Sequence, residues 1–437
     1  MNIKETQDLS KLFWRYLWSS ILISVSASLG VIVDGVIVGN LIGESGVSAI
    51  NLSTPLLQFM LTISLVLAAG AGILIGYALG KGDLCRVRYI YTLSMTGSLF
   101  VGLLFSILGI FVSEEITGIL CHNDTLFPYT QDYLKFILIG APAFMILWAM
   151  STLIGVDGSP RLASLALVID NVVHLFLDVI FIKFLGWGIA GSSAATVVGH
   201  LVGIVIMLYH YASKKNNLHF SFKHNEPEWG NILSQGAPLA VASICLTLLL
   251  MSANRIFLST NGQSGIFVFA VCMNLLQIYN LFLAGTCRTL QSLGAIQIGK
   301  NDNEAFRLIF KKSFSFITIS MIITCVLIYF FPGSISRLFG ATKPETLAAC
   351  NHALRIFAIS FIPFCYIYFV MIVYKLYKQD HMALFISFAL SLTVIPVLWV
   401  IAHFMPSYIW YSYLIAYILE IVAIFILHKA THAKFSL

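Results

Sequence analysis

Long apolar stretches alternate with short polar segments along the whole chain. Twelve of these stretches reach the roughly 20 apolar residues that an α-helix needs to cross a bilayer. We place them at residues 12–37, 52–79, 90–112, 133–155, 161–184, 189–211, 232–258, 266–297, 311–331, 353–374, 382–402 and 408–428. The pattern predicts an all-α polytopic membrane protein with twelve transmembrane helices.

The chain resembles itself at half its length. The segment Gly80–Asp83 (Gly-Lys-Gly-Asp) returns as Gly299–Asp302 (Gly-Lys-Asn-Asp), and Pro142 in span four is matched by Pro363 in span ten. With six spans per half, both copies have the same orientation, which predicts two six-helix lobes related by a pseudo-two-fold axis along the membrane normal. We expect an N-lobe over residues 1–211, a cytoplasmic linker over 212–231 and a C-lobe over 232–437.

Composition and charge agree with this class and exclude another. Hydrophobic residues make up 59% of the chain and charged residues only 10%, whereas about a quarter of a soluble protein is charged. Of the lysines and arginines, 18 fall at the N-terminus and after even-numbered spans, and 6 fall on the opposite side. This asymmetry predicts both termini in the cytoplasm of a cell-membrane protein. The net charge of +6 therefore reflects topology and does not indicate a nucleic-acid partner.

The cysteines and the N-terminus add two negative expectations. The 8 cysteines lie mostly within spans and form no CxxC motif, so we expect neither a disulfide framework nor a bound metal or other cofactor. The first apolar stretch has no signal-peptide cleavage pattern and is interpreted as span one.

Three carboxylates lie inside apolar spans of the first half, where each is costly unless it is paired, hydrated or protonated. They are Asp34 in span one and Asp170 and Asp178 in span five. Asp170, His174 and Asp178 are spaced four apart, so they share one face of a helix. Asp34, Asp178 and Thr196 of span six should lie at similar depth toward the extracellular side. The cluster predicts a machine driven by protons or sodium.

Three segments together resemble the multidrug and toxic compound extrusion (MATE) family over essentially the whole chain. They are Val33–Gly39, Gly155–Arg161, and the pair Leu177–Ile182 and Gly188–Thr196. Their order and spacing carry the resemblance, since no one motif is specific alone. The resemblance implies two lobes that export lipophilic, mostly cationic compounds in exchange for H⁺ or Na⁺.

Within the family, the resemblance is strongest to the DinF-type bacterial subgroup, which implies an ion site in the N-lobe. Asp34, Asp178 and Thr196 match three of its positions, and His174 stands where the subgroup has an asparagine. An imidazole is a poor sodium ligand and a good proton carrier, so the sequence favours H⁺ over Na⁺. A structural cluster that satisfies its own hydrogen bonds is the alternative interpretation.

The polar residues next to this site allow more than one interpretation. We expect Asp170 and Asn171 to extend the site as an ion relay, or Asp170 to serve only as a partner of His174. His200 in span six is interpreted as a structural polar residue.

The second half has the opposite character, with Arg255, Asn274, Gln277 and Arg288 as candidate substrate-cavity residues. Two interpretations remain open for its arginines. In one, Arg288 pairs with Glu420 of span twelve and Arg255 extends to the membrane interface. In the other, they form a cationic wall that contacts an anionic substrate.

The function that fits best is a secondary active antiporter for lipophilic, cationic small molecules, acting as a monomer and not as an enzyme. A flippase for an anionic amphiphile or lipid-linked precursor is the main alternative, supported by the arginines. An intramembrane protease is a remote alternative, which arises because Gly80–Asp83 matches a Gly-x-Gly-Asp motif. Two facing carboxylates within the membrane would be needed for that chemistry, and Asp83 is expected at the cytoplasmic surface.

Overall fold

The computed structural model describes residues 3–213, 216–222, 227–299, 302–377 and 379–430, and every regular element in these ranges is a helix. The first half of the chain contains eight of them: α1 (Ile3–Leu41), α2 (Glu44–Lys81), α3 (Leu84–Phe111), α4 (Ser113–Leu120), α5 (Phe127–Ile139), α6 (Ala141–Val156), α7 (Pro160–Val179) and α8 (Gly188–Leu208). The second half contains α9 (Trp229–Gly299), α10 (Asn303–Phe330), α11 (Pro332–Leu338), α12 (Pro344–Leu376), α13 (Asp380–Leu392), α14 (Val394–Phe404) and α15 (Ser412–Ala430).

These helices make up the twelve predicted spans. Two spans run through α9, which breaks at Gly262, where φ is 64° and ψ is −153°, a conformation that favours glycine. Span four consists of α5 and α6, which meet at an angle of 55° at Gly140. Pro142, in the first turn of α6, has no backbone N–H to continue the helix. Its counterpart Pro363 lies inside the continuous α12, so the repeat does not reproduce this bend.

The repeated Gly-x-x-Asp segment has a structural role in both halves. The Asp83 carboxylate caps α3 by accepting a hydrogen bond from the Arg86 N–H at 3.0 Å, and Asp302 caps α10 through the Ala305 N–H at 2.9 Å. Such caps satisfy a backbone donor that the first helical turn leaves free. Asp83 is exposed, so its motif starts a helix and does not match the protease interpretation. Lys300 and Asn301 of the second copy lie outside the described residues.

Packing divides the chain differently from the repeat. The first packing unit consists of residues up to Gly35 together with Val268 and beyond, and the second packing unit is Val36–Phe267. Relative to the predicted lobes, most of span one packs with helices of the second half, and most of span seven packs with helices of the first half. The predicted lobes over 1–211 and 232–437 remain a statement about the sequence repeat.

In the second packing unit, α2 and the first segment of α9 cross at two glycines. A Cβ atom at Gly70 would lie 2.1 Å from the Ile232 carbonyl oxygen, and one at Gly236 would lie 2.2 Å from that of Val66. The two backbones are therefore in direct contact. Farther along the same crossing, the buried Asn51 and Asn254 exchange two hydrogen bonds of 2.8 Å.

The first packing unit has a similar crossing, between span one and span eight. A Cβ atom at Gly285 would lie 2.7 Å from the Ile21 side chain and 3.0 Å from its Cα atom. The glycine here belongs to span eight, whereas Gly236 belongs to span seven. In each packing unit, the first span of one half of the sequence thus packs against a helix of the other half through a glycine contact. Small residues commonly make such contacts between membrane helices.

The linker between the halves is anchored to the second packing unit where it is described. Asp157, at the end of α6, accepts hydrogen bonds from His210 Nε2 and from the backbone and side-chain nitrogens of Asn217, each at 2.9 Å. The Asp157 and His210 side chains are fully buried. The backbone N–H of Ser221 donates to Thr92 on α3 at 2.7 Å. The linker is therefore part of the packed structure, which the sequence did not indicate.

The glycine crossing predicts a stability effect. Gly236→Ala should lower the thermal unfolding temperature, because overpacking against a backbone carbonyl costs about 1–3 kcal/mol. Gly155→Ala is the matched control, since a Cβ atom there meets nothing within 4 Å. Thermal unfolding of both variants in detergent checks this, and equal unfolding temperatures would contradict the close crossing.

Candidate ion-coupling site

The candidate site is built on the closest helix pair of the second packing unit, α7 and α8. A Cβ atom at Gly199 of α8 would lie 2.8 Å from Asp170 Oδ1, 2.9 Å from the Asp170 carbonyl oxygen and 3.1 Å from His174 Cβ. One at Gly203 would lie 3.3 Å from Asp170 Cβ. Because these glycines have no side chain, the polar residues of α7 reach the face of α8.

His174, Asp178 and Thr196 meet at this contact. His174 Nε2 lies 3.1 Å from Asp178 Oδ2 and 3.0 Å from Thr196 Oγ1. The Asp178 side chain is fully buried, whereas the His174 side chain is 15% exposed. The structure therefore brings together three of the four predicted coupling residues, and the single imidazole nitrogen joins the other two.

The hydrogen-bond pattern indicates where the proton lies. The Thr196 hydroxyl donates to the Ser192 carbonyl at 3.0 Å, which leaves its oxygen to accept from His174. If Asp178 is ionised, the 3.1 Å contact of Nε2 with Oδ2 also favours a hydrogen on Nε2. If Asp178 is protonated instead, the same nitrogen can accept from the carboxyl group and no longer donates to Thr196. The cluster can therefore exist in two protonation states, with Nε2 beside Asp178 in both.

Asp178 also has capacity for a further ligand. Both of its carboxyl oxygens are buried and make no hydrogen bond among the described residues, although Oδ2 contacts His174, and such unsatisfied oxygens are costly inside a protein. A proton on the carboxyl group removes most of this cost. Na⁺ would use oxygen ligands such as the carboxylate and the Thr196 hydroxyl, as hard cations prefer, but the imidazole between them is a nitrogen donor.

Asp34 lies in the first packing unit. It is half-buried on α1, next to Gly35, which packs closely against the second segment of α9. A Cβ atom at Gly35 would lie 3.1 Å from Asn274 Oδ1 and 3.1 Å from the Phe339 ring. Gly35 thus permits α1 to approach a predicted cavity residue, Asn274.

A second carboxylate–imidazole pair lies farther along α7 and α8. Asp170 Oδ1 is 3.0 Å from His200 Nδ1, so Asp170 pairs with His200 and not with His174, as one interpretation of the sequence had it. His174 turns to Asp178 because both lie toward the loop between the helices, whereas Asp170 faces the next turn of α8. Sequence reasoning missed the pairing of His200, although the spacing of four between Thr196 and His200 places both on one face.

Asn171, the other predicted relay residue, is half-buried on α7. Its amide nitrogen donates to the Leu167 carbonyl of the same helix at 2.9 Å. This bond occupies the side chain locally and brings it to no other helix.

The predicted cavity residues of the second half are not joined by ion pairs within the described ranges. Arg255 and Arg288 are exposed, and Glu420 is 2% exposed with both carboxyl oxygens unpartnered in the part of the chain that the structure describes. No Arg288–Glu420 contact within 4.0 Å is present among those residues, so the expected structural pair does not form. The Arg288 side chain is exposed on the surface of α9, whereas the Glu420 side chain is buried on α15.

The two amides in this half are half-buried. Asn274 donates to the Ala270 carbonyl of its own helix at 3.0 Å, and its Oδ1 atom has no hydrogen-bond partner among the described residues. Gln277 lies one turn farther along the same helix. Asn274 therefore keeps a free acceptor that a ligand could use.

The first packing unit also has an apolar cavity with aromatic walls that is half open to its surroundings, and its Trp18 is 55% exposed. Its volume is about 440 Å³, and its lining includes Trp18, Phe282 and Phe316. Trp18 and Phe316 stack edge to face, with ring centroids 6.4 Å apart. Aromatic faces of this kind attract organic cations as well as apolar groups.

A sequence profile of the MatE family matches residues 19–180 and again 238–400. The two matched stretches begin 219 residues apart, which agrees with the internal repeat, and together they cover most of the chain. The chain belongs to the MatE family. This MatE chain is therefore a multi-pass membrane transporter.

Individual relatives agree with the family assignment. The multidrug export protein MepA of Staphylococcus haemolyticus is 22% identical over 326 residues, which are 73% of this chain and 71% of MepA. An inward-facing MATE transporter of the MOP superfamily superposes with a TM-score of 0.83 at 16% identity, covering 95% of this chain and all of that one. The MATE multidrug transporter DinF-BH superposes with a TM-score of 0.74 at 20% identity, covering 96% and 95%. These structures share the twelve-helix fold with this MatE chain.

Proposed function

We propose that this protein is a proton-coupled antiporter that exports lipophilic organic compounds, with Asp34, His174, Asp178 and Thr196 as its coupling site. The single observation that carries the proposal is the contact of His174 Nε2 with both Asp178 and Thr196 at 3.0–3.1 Å. A buried carboxylate, a hydroxyl and an imidazole on two adjacent membrane helices form a group that can bind and release one cation.

The imidazole of His174 favours H⁺ over Na⁺ as the coupling ion. An imidazole is a good proton carrier, and this one stands between the two oxygens that a sodium ion would need. A proton can occupy either Asp178 or His174 while Nε2 and Oδ2 remain in contact. Sodium would have to displace the imidazole from at least one oxygen.

Coupling follows from competition between two ligands. If protonation stabilises one arrangement of the helices and substrate stabilises another, each ligand lowers the affinity for the other by the same factor. A coupling free energy of roughly 1–3 kcal/mol is typical of such linkage. Loading the site with a proton from outside then favours release of the exported compound.

Asp34 is proposed as the fourth member of this site because the family resemblance assigns that position a carboxylate. Asp170 and Asn171 are proposed as a relay that serves it. The protein would act as a monomer in the plasma membrane with both termini in the cytoplasm, as its lysine and arginine distribution predicts.

The substrate class rests on the relatives and on the aromatic cavity. MepA is named as a multidrug export protein, and DinF-BH is named as a MATE multidrug transporter. A lipophilic cation would fit a cavity walled by Trp18, Phe282 and Phe316 through apolar contact and cation–π attraction. We propose that compounds of this class are exported here too.

The coupling site predicts a loss of gradient-driven transport. Asp178→Asn and Asp34→Asn should each abolish efflux into an imposed proton gradient, because an amide keeps the shape and hydrogen bonds of the side chain but cannot titrate. Efflux of a fluorescent organic cation from proteoliposomes measures this. Asp83→Asn is the control, since asparagine also caps helices, and coupled efflux that survives in Asp178→Asn would refute the assignment.

The ion preference predicts a sodium-independent wild type. At a fixed proton gradient, removing sodium should leave the efflux rate unchanged, and substrate addition to the purified protein should release protons. His174→Asn restores the residue that the DinF-type subgroup carries and should increase sodium dependence, whereas His174→Ala should weaken coupling near neutral pH. Loss of wild-type transport in the absence of sodium would show that H⁺ is not the coupling ion.

A second candidate function is the flipping of an anionic amphiphile, which one observation favours. Arg288 lies about 16 Å from the end of α9, is exposed, and has no ion-pair partner in the described ranges. A guanidinium keeps its charge at physiological pH, so within a membrane span it must be hydrated or meet an anion. A substrate phosphate or carboxylate would provide that partner.

Arg288→Ala separates the two candidates. Because Arg288 makes no ion pair with any residue that the structure describes, the variant should remain as thermally stable as Arg337→Ala, a control on the short α11. A cation exporter should keep its affinity for cationic compounds in tryptophan-quenching titrations. A carrier of anions should instead lose affinity for an anionic detergent by at least about tenfold, the equivalent of one charge-assisted hydrogen bond of about 1.5 kcal/mol.

A further inference from the structure

We propose that Asp170 and His200 form a second proton-holding station, which exchanges protons between the coupling site and the Pro160 end of α7. The inference rests on the proposed proton coupling and deepens it. Asp170 lies eight residues before Asp178, or about 12 Å along the helix axis. The two stations are thus on the same helix pair but are separate groups.

The pair has the geometry of a proton-sharing contact. Asp170 Oδ1 and His200 Nδ1 are 3.0 Å apart, and the two side chains are 8% and 14% exposed. His200 Nε2 makes no hydrogen bond to the part of the chain that the structure describes. A proton can therefore reach the outer nitrogen while the inner nitrogen holds the carboxylate.

The proton balance of the station is simple. Starting from ionised Asp170 and neutral His200, a proton that binds Nε2 makes an imidazolium beside a carboxylate. If the Nδ1 proton then moves to Asp170 Oδ1, both groups become neutral and the hydrogen on Nε2 remains. Loss of the Asp170 proton restores the starting charge but leaves the hydrogen on Nε2. Release of that hydrogen and reprotonation of Nδ1 then restore the starting tautomer, so that over the cycle one proton enters, one leaves and no other reactant is needed.

The surroundings of the pair isolate it from other charges. From α6, the Phe144 ring lies 5.6 Å from the His200 ring, and Leu147 approaches Gly203 beside Asp170; both are apolar. At the end of α5, the contact with α8 is made by Gly140 against Val197. From α7 itself, His174 packs over the same Gly199 as Asp170. No lysine or arginine nitrogen lies within 4.0 Å of Asp170 in the described ranges.

Gly199 connects the two stations. The position of a Cβ atom there is 2.8 Å from Asp170 Oδ1 and 3.1 Å from His174 Cβ, so one residue of each station packs over the same glycine. An added methyl group would also meet the Asp170 carbonyl at 2.9 Å, which would push α7 away from α8. The two contacts that cross this helix pair, Asp170 with His200 and His174 with Thr196, would then lengthen together.

Asp170→Asn and His200→Gln provide the test. Each should slow proton-driven efflux from proteoliposomes by roughly ten- to hundredfold, since a positioned proton carrier contributes at least that much. Substrate affinity measured by tryptophan quenching should stay within twofold, and the pH at which efflux is half-maximal should shift. The control is Asp157→Asn, which alters a buried carboxylate–imidazole pair of the same chemistry at the linker.

The outcomes separate this inference from the proposed function. If Asp178→Asn abolishes coupled efflux while Asp170→Asn and His200→Gln keep the wild-type rate and pH profile, the coupling site stands and the second station does not. If all three keep coupled efflux, the proposed function itself fails. Should Asp170→Asn or His200→Gln unfold, the other decides, because each removes one partner of the same pair. A wild-type efflux rate and pH profile in the folded variant would overturn the proposal.

Discussion

The contact of α7 with α8 through glycine is the constraint on which the candidate site depends. Inside a bilayer there is no water to satisfy an ionisable side chain, which is costly there unless it is paired, hydrated or neutral. Hydrogen bonds of about 3 Å between short side chains require the two backbones to approach closely. Gly199 and Gly203 allow that approach, so that Asp170 can pair with His200, and His174 with Thr196, across the interface.

The same pairing recurs three times among the described residues of the second packing unit. Asp178 contacts His174, Asp170 contacts His200, and Asp157 contacts His210. The third pair is fully buried and ties down the linker, so it has a stabilising role, whereas the first two retain slight exposure. Where the second half is described, it has no equivalent: its buried Glu420 and exposed Arg288 do not meet. Duplication thus preserved the scaffold while this titratable chemistry became confined to one copy.

The sequence predicted the spans well because hydropathy and the bilayer thickness leave few alternatives. It also placed His174, Asp178 and Thr196 together, since the spacing of four along a helix and the reversal of direction between spans five and six fix their depth. It failed where a partner is chosen in three dimensions. His200 pairs with Asp170, and Arg288 does not pair with Glu420, because packing sets the rotation of each helix about its own axis. Likewise, the packing of span one with the second half depends on contacts such as Ile21 with Gly285, which no periodicity reveals.

The exchange of first spans bears on how the protein assembles as it leaves the ribosome. The helices of residues 36–211 cannot complete their packing until the first segment of α9 has been synthesised. The helix ending at Gly35 must wait longer still, until the spans beyond Val268 exist. The earliest span to enter the membrane is therefore among the last to find its neighbours. During that interval its apolar surface is covered only by lipid, or by whatever the insertion machinery supplies.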